Sequence, residues 1–203
     1  MSSLISEYRK KRSQIKKRLR EFRRLNKSNN KDIFPELCFC ILTPQSNARY
    51  CDKAIQELKK TNLLFKGESH SISPVLRGRA RFHNKKAGYI VSARKCFDKK
   101  IFGSRDTLEV RNSLVKNIKG FGYKEASHFL RNIGMGKDMA ILDRHILKNL
   151  KRYGAIKKIP SSISTREYLN IEEKARKFAD KIKIPLEELD LLFWSRETGE
   201  IFK

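Results

Sequence analysis

Missing from these 203 residues is any apolar run long enough to cross a membrane, and there is no lipidation signal. Spanning and lipid-anchored classes are therefore excluded. The opening "MSSLISEYRKKRSQIKKRLREF" carries basic residues without the apolar block of a signal peptide, so the cytoplasm is the expected compartment. Cysteine is scarce. Cys38, Cys40, Cys51 and Cys96 form no Cys-x-x-Cys pair, and the last third of the chain has none. That spacing excludes a zinc ribbon and an iron–sulfur loop, and free thiols suit a reducing compartment. Period-2 alternation of strand length is also absent, as is any internal repeat. Negative charge is the strongest shortage, with 22 acidic residues against 47 basic ones and a net charge of +25. Such a surface repels itself and attracts polyanions. Nucleic acid is the leading partner class, and a merely solubilising surface is the other reading.

What is present reads as helix. Apolar residues make up 39% of the chain, enough to bury the core of one compact domain or two small lobes. In Leu4–Leu25, the residues Leu4, Ile5, Tyr8, Ile15, Leu19 and Phe22 recur at helical spacing. The opposite face is basic, with eleven basic residues against two acidic ones in Met1–Lys27, and either faces phosphate or is simply solvated. Asp32–Leu42 is dense in apolar residues and predicts a buried helix ended by "TPQSNARY". A helix follows over Asn47–Lys59, then a Gly- and Ser-rich stretch, Phe65–Arg79, expected to be a loop. Helical spacing resumes in "RARFHNKKAGYIVSARKCF" and in Leu108–Ile118. Asp143 opens a helix that Gly154 closes. Ser164 and Glu167 form a possible capping box for a helix to about Ile182. Pro185 is expected in the first turn of the last helix, which Gly199 stops. The expected class is all-α.

"NIKGFGYKEASHFLRNIG" places Gly120 and Gly122 one residue apart, ahead of an amphipathic stretch. Glycine tolerates φ > 0, so the chain turns sharply there. Amides at the start of the next helix are then open to a phosphate. The same pattern also serves an ordinary turn between two helices. Lys124 follows two residues later. A neutral lysine attacks an electrophilic carbon, whereas a protonated one is only a surface cation. A carboxylate is needed nearby to support positive charge developing on a sugar. Asp143 is the candidate, although an aspartate that opens a helix is first of all an N-cap.

Together, Gly120, Gly122 and Lys124, with Asp143 19 positions after the lysine, resemble the helix-hairpin-helix DNA glycosylase superfamily. The resemblance implies that Lys124 attacks the anomeric carbon and forms a Schiff base, and that Asp143 stabilises the oxocarbenium-like charge. It implies that Gly120 and Gly122 offer amides to a phosphate beside the lesion. Members with an iron–sulfur cluster carry cysteines near the C-terminus, and "FADKIKIPLEELDLLFWSRETGEIFK" has none. That same segment resembles the archaeal-type (type 2) 8-oxoguanine DNA glycosylases, as do "RFHNKKAGYIV" and "LTPQSNARYCDKAI", so the likeness runs from about Ile33 to Lys203.

From this family follow two helical lobes with an active site in the cleft between them. One is a helical barrel over 33–135 with the hairpin at about 108–134. The other is built from 1–32 and 136–203. Phe82 and Trp194 would face the flipped base, although "LLFW" also suits a core tryptophan. Lys203 would bring a terminal carboxylate to the base. Gln45 would fill the gap left in the duplex, or act only as a capping amide. The implied activity is bifunctional base-excision repair on double-stranded DNA containing 8-oxoguanine, by a nucleoid-associated monomer. It needs no metal or redox cofactor, though a monovalent cation at the hairpin is compatible. A glycosylase for another oxidised base and a non-catalytic DNA-binding module are the alternatives.

Overall fold

Residues 2–25, 30–97 and 106–203 are described by a computed structural model. In chain order the helices are α1 (Ser2–Leu25), α2 (Asn30–Leu42), α3 (Ala48–Lys60), α4 (Leu63–Lys66), α5 (Ser69–Leu76), α6 (His83–Cys96), α7 (Thr107–Asn117), α8 (Tyr123–Asn132), α9 (Arg144–Arg152), α10 (Thr165–Ile182) and α11 (Leu186–Thr198). No strand occurs among the described residues, and none of these helices is long and apolar enough to cross a membrane. The chain folds as two units, Met1–Asn26 with Leu130–Lys203, and Lys27–Phe129.

In the terminal unit, α1, α9 and α10 all pack on α11. The apolar stripe of α1 is the one its spacing predicts: Leu4, Tyr8, Ile15, Leu19 and Phe22 are buried, and Ile5 is half-buried. Because α11 is enclosed by its neighbours, three of its acids, Glu187, Glu188 and Asp190, are buried, and each has a partner. Tyr8 donates to Glu188 Oε2 at 2.7 Å, Arg131 Nη1 lies 3.3 Å from Asp190 Oδ2, and Arg23 pairs with Glu187. An unpaired buried carboxylate would be far more costly than these pairs are stabilising. Gly134, with φ +75°, lets α1 come close. An added Cβ there would lie 2.6 Å from the Cα of Arg23.

The internal unit is arranged around α2, whose residues Leu37 to Leu42 are all buried. Helix α3 starts where expected, because Asn47 Oδ1 accepts from the amides of Arg49 (2.9 Å) and Tyr50 (3.2 Å). The expected loop over Phe65–Arg79 is not one, since α5 occupies most of it. Ile72 and Leu76, one helical turn apart, are fully buried. Burying such a pair contributes about 1.5–3 kcal/mol per side chain, which outweighs the modest helix propensity of the surrounding serines. A smaller difference concerns Pro185, which caps α11 with ψ 142° instead of lying in its first turn. Gly154 takes the left-handed position, φ +76°, just after the C-cap Tyr153. None of the four cysteines is in a disulfide, three of them are buried, and burial raises the Cys38 thiol well above its ordinary value.

Candidate active site

The hairpin joins α7 to α8 through Ile118–Gly122. Asp106 caps α7 by accepting from the Leu108 amide at 2.8 Å. Phe121 turns inward, its amide donating to Ile118 O at 3.1 Å and its ring 6.3 Å from that of Phe129. The two helices are tied by Arg111, which is buried on α7. Its Nη1 donates to Ser127 Oγ at 3.2 Å, and its guanidinium lies 5.1 Å from the Tyr123 ring centroid. Gly120 is required twice over. Its φ is +88°, and an added Cβ would lie 2.6 Å from Tyr89 Cδ2. Gly120→Ala is therefore expected to destabilise the fold by about 2–4 kcal/mol, from backbone strain together with the clash. Urea denaturation measures this, and an unchanged midpoint would show that neither the positive φ nor the Tyr89 ring constrains the position.

Gly122 stands just before the first residue of α8, and Lys124 sits in that helix's first turn. Glu125 reaches back in the manner of a capping box, its Oε2 accepting from Gly122 N at 3.0 Å. Its other oxygen lies 3.4 Å from Lys124 Nζ. A phosphate arriving at the Gly122 amide must therefore displace a carboxylate. The Lys124 side chain is 23% exposed, reachable but not free in solvent.

In the terminal unit, Asp143 caps α9. Its Oδ1 accepts from both His145 N and Ile146 N at 2.8 Å, and Oδ2 takes no part in the cap. The cap reading is thus correct, and it leaves one carboxylate oxygen outside the cap. Trp194 is half-buried, with its ring 6.3 Å from that of the buried Phe202. Lys203 Nζ lies 5.9 Å from the same Phe202 centroid, so these three residues form one cluster. Gln45 and Phe82 belong to the internal unit, together with the hairpin. Both are exposed and both are left-handed, with φ +56° and +58°.

Three residues near these candidates carry no signal in the sequence read alone. Glu125 is legible only once the helix start is known. Arg111 and Lys86 look like surface cations, yet they are 1% and 5% exposed. Burial pulls Lys86 below the ordinary lysine range, and the charge of Lys124 adds to this, so the two ammonium groups sense each other. Among the described residues, no three His, Cys, Asp or Glu side chains gather to hold a metal ion.

A family model for 8-oxoguanine DNA glycosylase matches residues 15–184. An 8-oxoguanine DNA glycosylase/AP lyase of Fusobacterium nucleatum is 45% identical, over 97% of this chain and 94% of its own length. The protein of the same name from Methanocaldococcus jannaschii is 42% identical, over 93% of this chain and 91% of its own. The crystal structure of the Methanocaldococcus jannaschii glycosylase/lyase, in complex with a 15mer DNA containing 8-oxoguanine, superposes with a TM-score of 0.91 at 36% identity and full coverage of both chains. The Thermotoga maritima 8-oxoguanine DNA glycosylase matches with a TM-score of 0.90 at 35% identity, over 100% of this chain and 97% of that one. A helix-hairpin-helix bearing Lys124, in a chain alike to these proteins along nearly its whole length, leads to one conclusion: the chain belongs to the 8-oxoguanine DNA glycosylase family.

Proposed function

We infer that the protein removes 8-oxoguanine from duplex DNA and then nicks the strand 3′ to the abasic site by β-elimination. The observation that carries this is Lys124 in the first turn of α8, directly after the Gly120–Gly122 turn, in a chain of this family. The basic surface draws the duplex in through its phosphates. The reading assigns the hairpin amides of Gly120 and Gly122 to a phosphate beside the lesion. It assigns Phe82 and Trp194 to the faces of the flipped base, Lys203 to its edge, and Gln45 to the gap left behind.

At the sugar, the Lys124 amine forms a bond to C1′ while the bond from C1′ to N9 breaks. The electron pair leaves with the base, which takes up a proton. Asp143 offsets the positive charge on the sugar in the transition state. The amine then gives up a proton, the C1′–O4′ bond breaks with its electron pair and a proton going to O4′, and the resulting ring-opened iminium acidifies C2′. Loss of a C2′ proton expels the 3′ phosphate and cuts the strand. An amine and a carboxylate supply this chemistry, so the reading calls for no metal or redox group. It treats the working species as a monomer acting on chromosomal DNA.

8-Oxoguanine differs from guanine by a C8 carbonyl and a proton on N7. One acceptor aimed at N7–H discriminates by about 1–3 kcal/mol, because guanine leaves that acceptor buried and unpaired. The test is a panel of duplexes carrying 8-oxoguanine, an oxidised pyrimidine or no damage. Nicking of the 8-oxoguanine strand alone is expected. Preference for the pyrimidine lesion would move the assignment to another glycosylase. Binding that depends on salt but not on damage, with no nicking, would leave only a DNA-binding module.

A further inference from the structure

The role of Lys86 in holding the Gln45 and Phe82 turns follows from its contacts. Lys86 lies in the first turn of α6, and its ammonium has three close acceptors: Leu42 O and Pro44 O, both at 2.7 Å, and Ser46 Oγ at 3.1 Å. A lysine has three N–H donors, and all three are matched. Every acceptor lies at the end of α2 or in the short connection from it to α3. Leu42 is the last residue of α2, where unpaired carbonyls and the negative end of the helix favour a cation. Pro44 and Ser46 flank Gln45 on either side.

The same hydroxyl has a second duty. Ser46 Oγ accepts from Arg81 N at 3.0 Å, which ties the residue before Phe82 to the residue after Gln45. The Lys86 amide also donates to Phe82 O at 2.9 Å. Non-glycine residues held at positive φ are strained, and they persist only where the surroundings over-determine them. Here Lys86 and Ser46 supply contacts that reach both turns. Phe82 nevertheless remains 55% exposed, so the clasp fixes a surface side chain without burying it.

The geometry points to Lys86 as a positioning residue, whose ammonium locks the Gln45 and Phe82 turns together so that both are presented to the duplex as one rigid pair for extruding and holding the damaged base. This rests on the function proposed above, and it separates base extrusion from the chemistry of Lys124. Its buried ammonium also senses the Lys124 charge, so the competing role is an electrostatic one on the nucleophile. The two roles differ on a duplex with a ready-made abasic site, where no base has to be flipped.

Lys86→Met keeps the apolar stem and removes the three donors. With an 8-oxoguanine duplex at saturating enzyme, base release is expected to fall about 100-fold, the penalty of a slightly misplaced constellation. Fluorescence of a 2-aminopurine beside the lesion, which reports extrusion, should fall in parallel. Borohydride trapping and nicking of the abasic duplex should stay at the wild-type level. Base release at the wild-type rate would overturn the proposal, and so would equal loss on both substrates. Ser46→Ala provides a second test should Lys86→Met fold poorly. It leaves Lys86 in place and cuts the link to the Phe82 arm, so the same selective loss is expected in milder form, and no change would overturn the proposal. Wild-type protein that is not trapped on either substrate would instead reject the Lys124 reading.

Discussion

Lys124→Gln is expected to give no covalent complex when an 8-oxoguanine duplex is treated with borohydride, whereas wild-type protein is trapped. Borohydride delivers hydride to the iminium between Nζ and C1′ and converts it to a stable secondary amine. Glutamine has no amine to form that iminium. It is also a good helix former of similar reach, so the first turn of α8 should persist. The rate of base release should fall on the order of 10³-fold or more, since binding and charge stabilisation alone would remain. Thermal unfolding of the variant should match wild type, which separates lost chemistry from lost structure. Equal trapping by both proteins would mean that another amine is the nucleophile.

The second large effect is expected from Asp143→Asn, because asparagine keeps one role of this residue and removes the other. Its side-chain oxygen can still accept from the amides of His145 and Ile146, the two bonds that Asp143 Oδ1 accepts at 2.8 Å. Asn and Asp are near equals as N-caps, so stability should change by less than about 0.5 kcal/mol. The carboxylate charge is lost, and base release should drop about 10²- to 10⁴-fold. Asp143→Ala loses charge and cap together, adding about 0.5–2 kcal/mol of destabilisation. Single-turnover kinetics alongside urea denaturation reads both axes. An active Asn variant beside an inactive, unstable Ala variant would reduce Asp143 to a cap.

As candidates, Lys124 and Asp143 stand out in the sequence only together, behind the Gly120–Gly122 turn. Each alone is an ordinary surface cation or helix cap, and the interval between them carries the meaning. Most helices were legible too, because α1, α3 and α10 announce themselves by apolar spacing and by Ser or Asn caps. α5 was hidden because its serines and Gly67 masked a single buried turn, Ile72 with Leu76. Left-handed backbone at Gln45 and Phe82 has no compositional sign, since neither is glycine. The Lys86 clasp was invisible for a related reason. Two of its partners are main-chain carbonyls more than 40 positions away, and any residue type presents a carbonyl. In the run "LEELD", Glu187, Glu188 and Asp190 are all buried, and nothing local to them predicts Tyr8, Arg23 or Arg131 as partners.

The pairing of α1 with α11 also constrains how the molecule is made. Tyr8 and its partner Glu188 are 180 positions apart, so at ribosomal speeds of about 5–20 residues per second the first helix waits roughly 10–40 s for its partner. Throughout that interval Leu4, Ile15, Leu19 and Phe22 have no α11 to cover them, on a helix dense in positive charge. All of the chain for Lys27–Phe129, by contrast, has been made before any of α11 is translated. Synthesis therefore supplies the parts in an order that favours the hairpin unit, and a nascent chain stalled short of α11 carries a sticky, cationic arm ahead of a unit whose sequence is already complete.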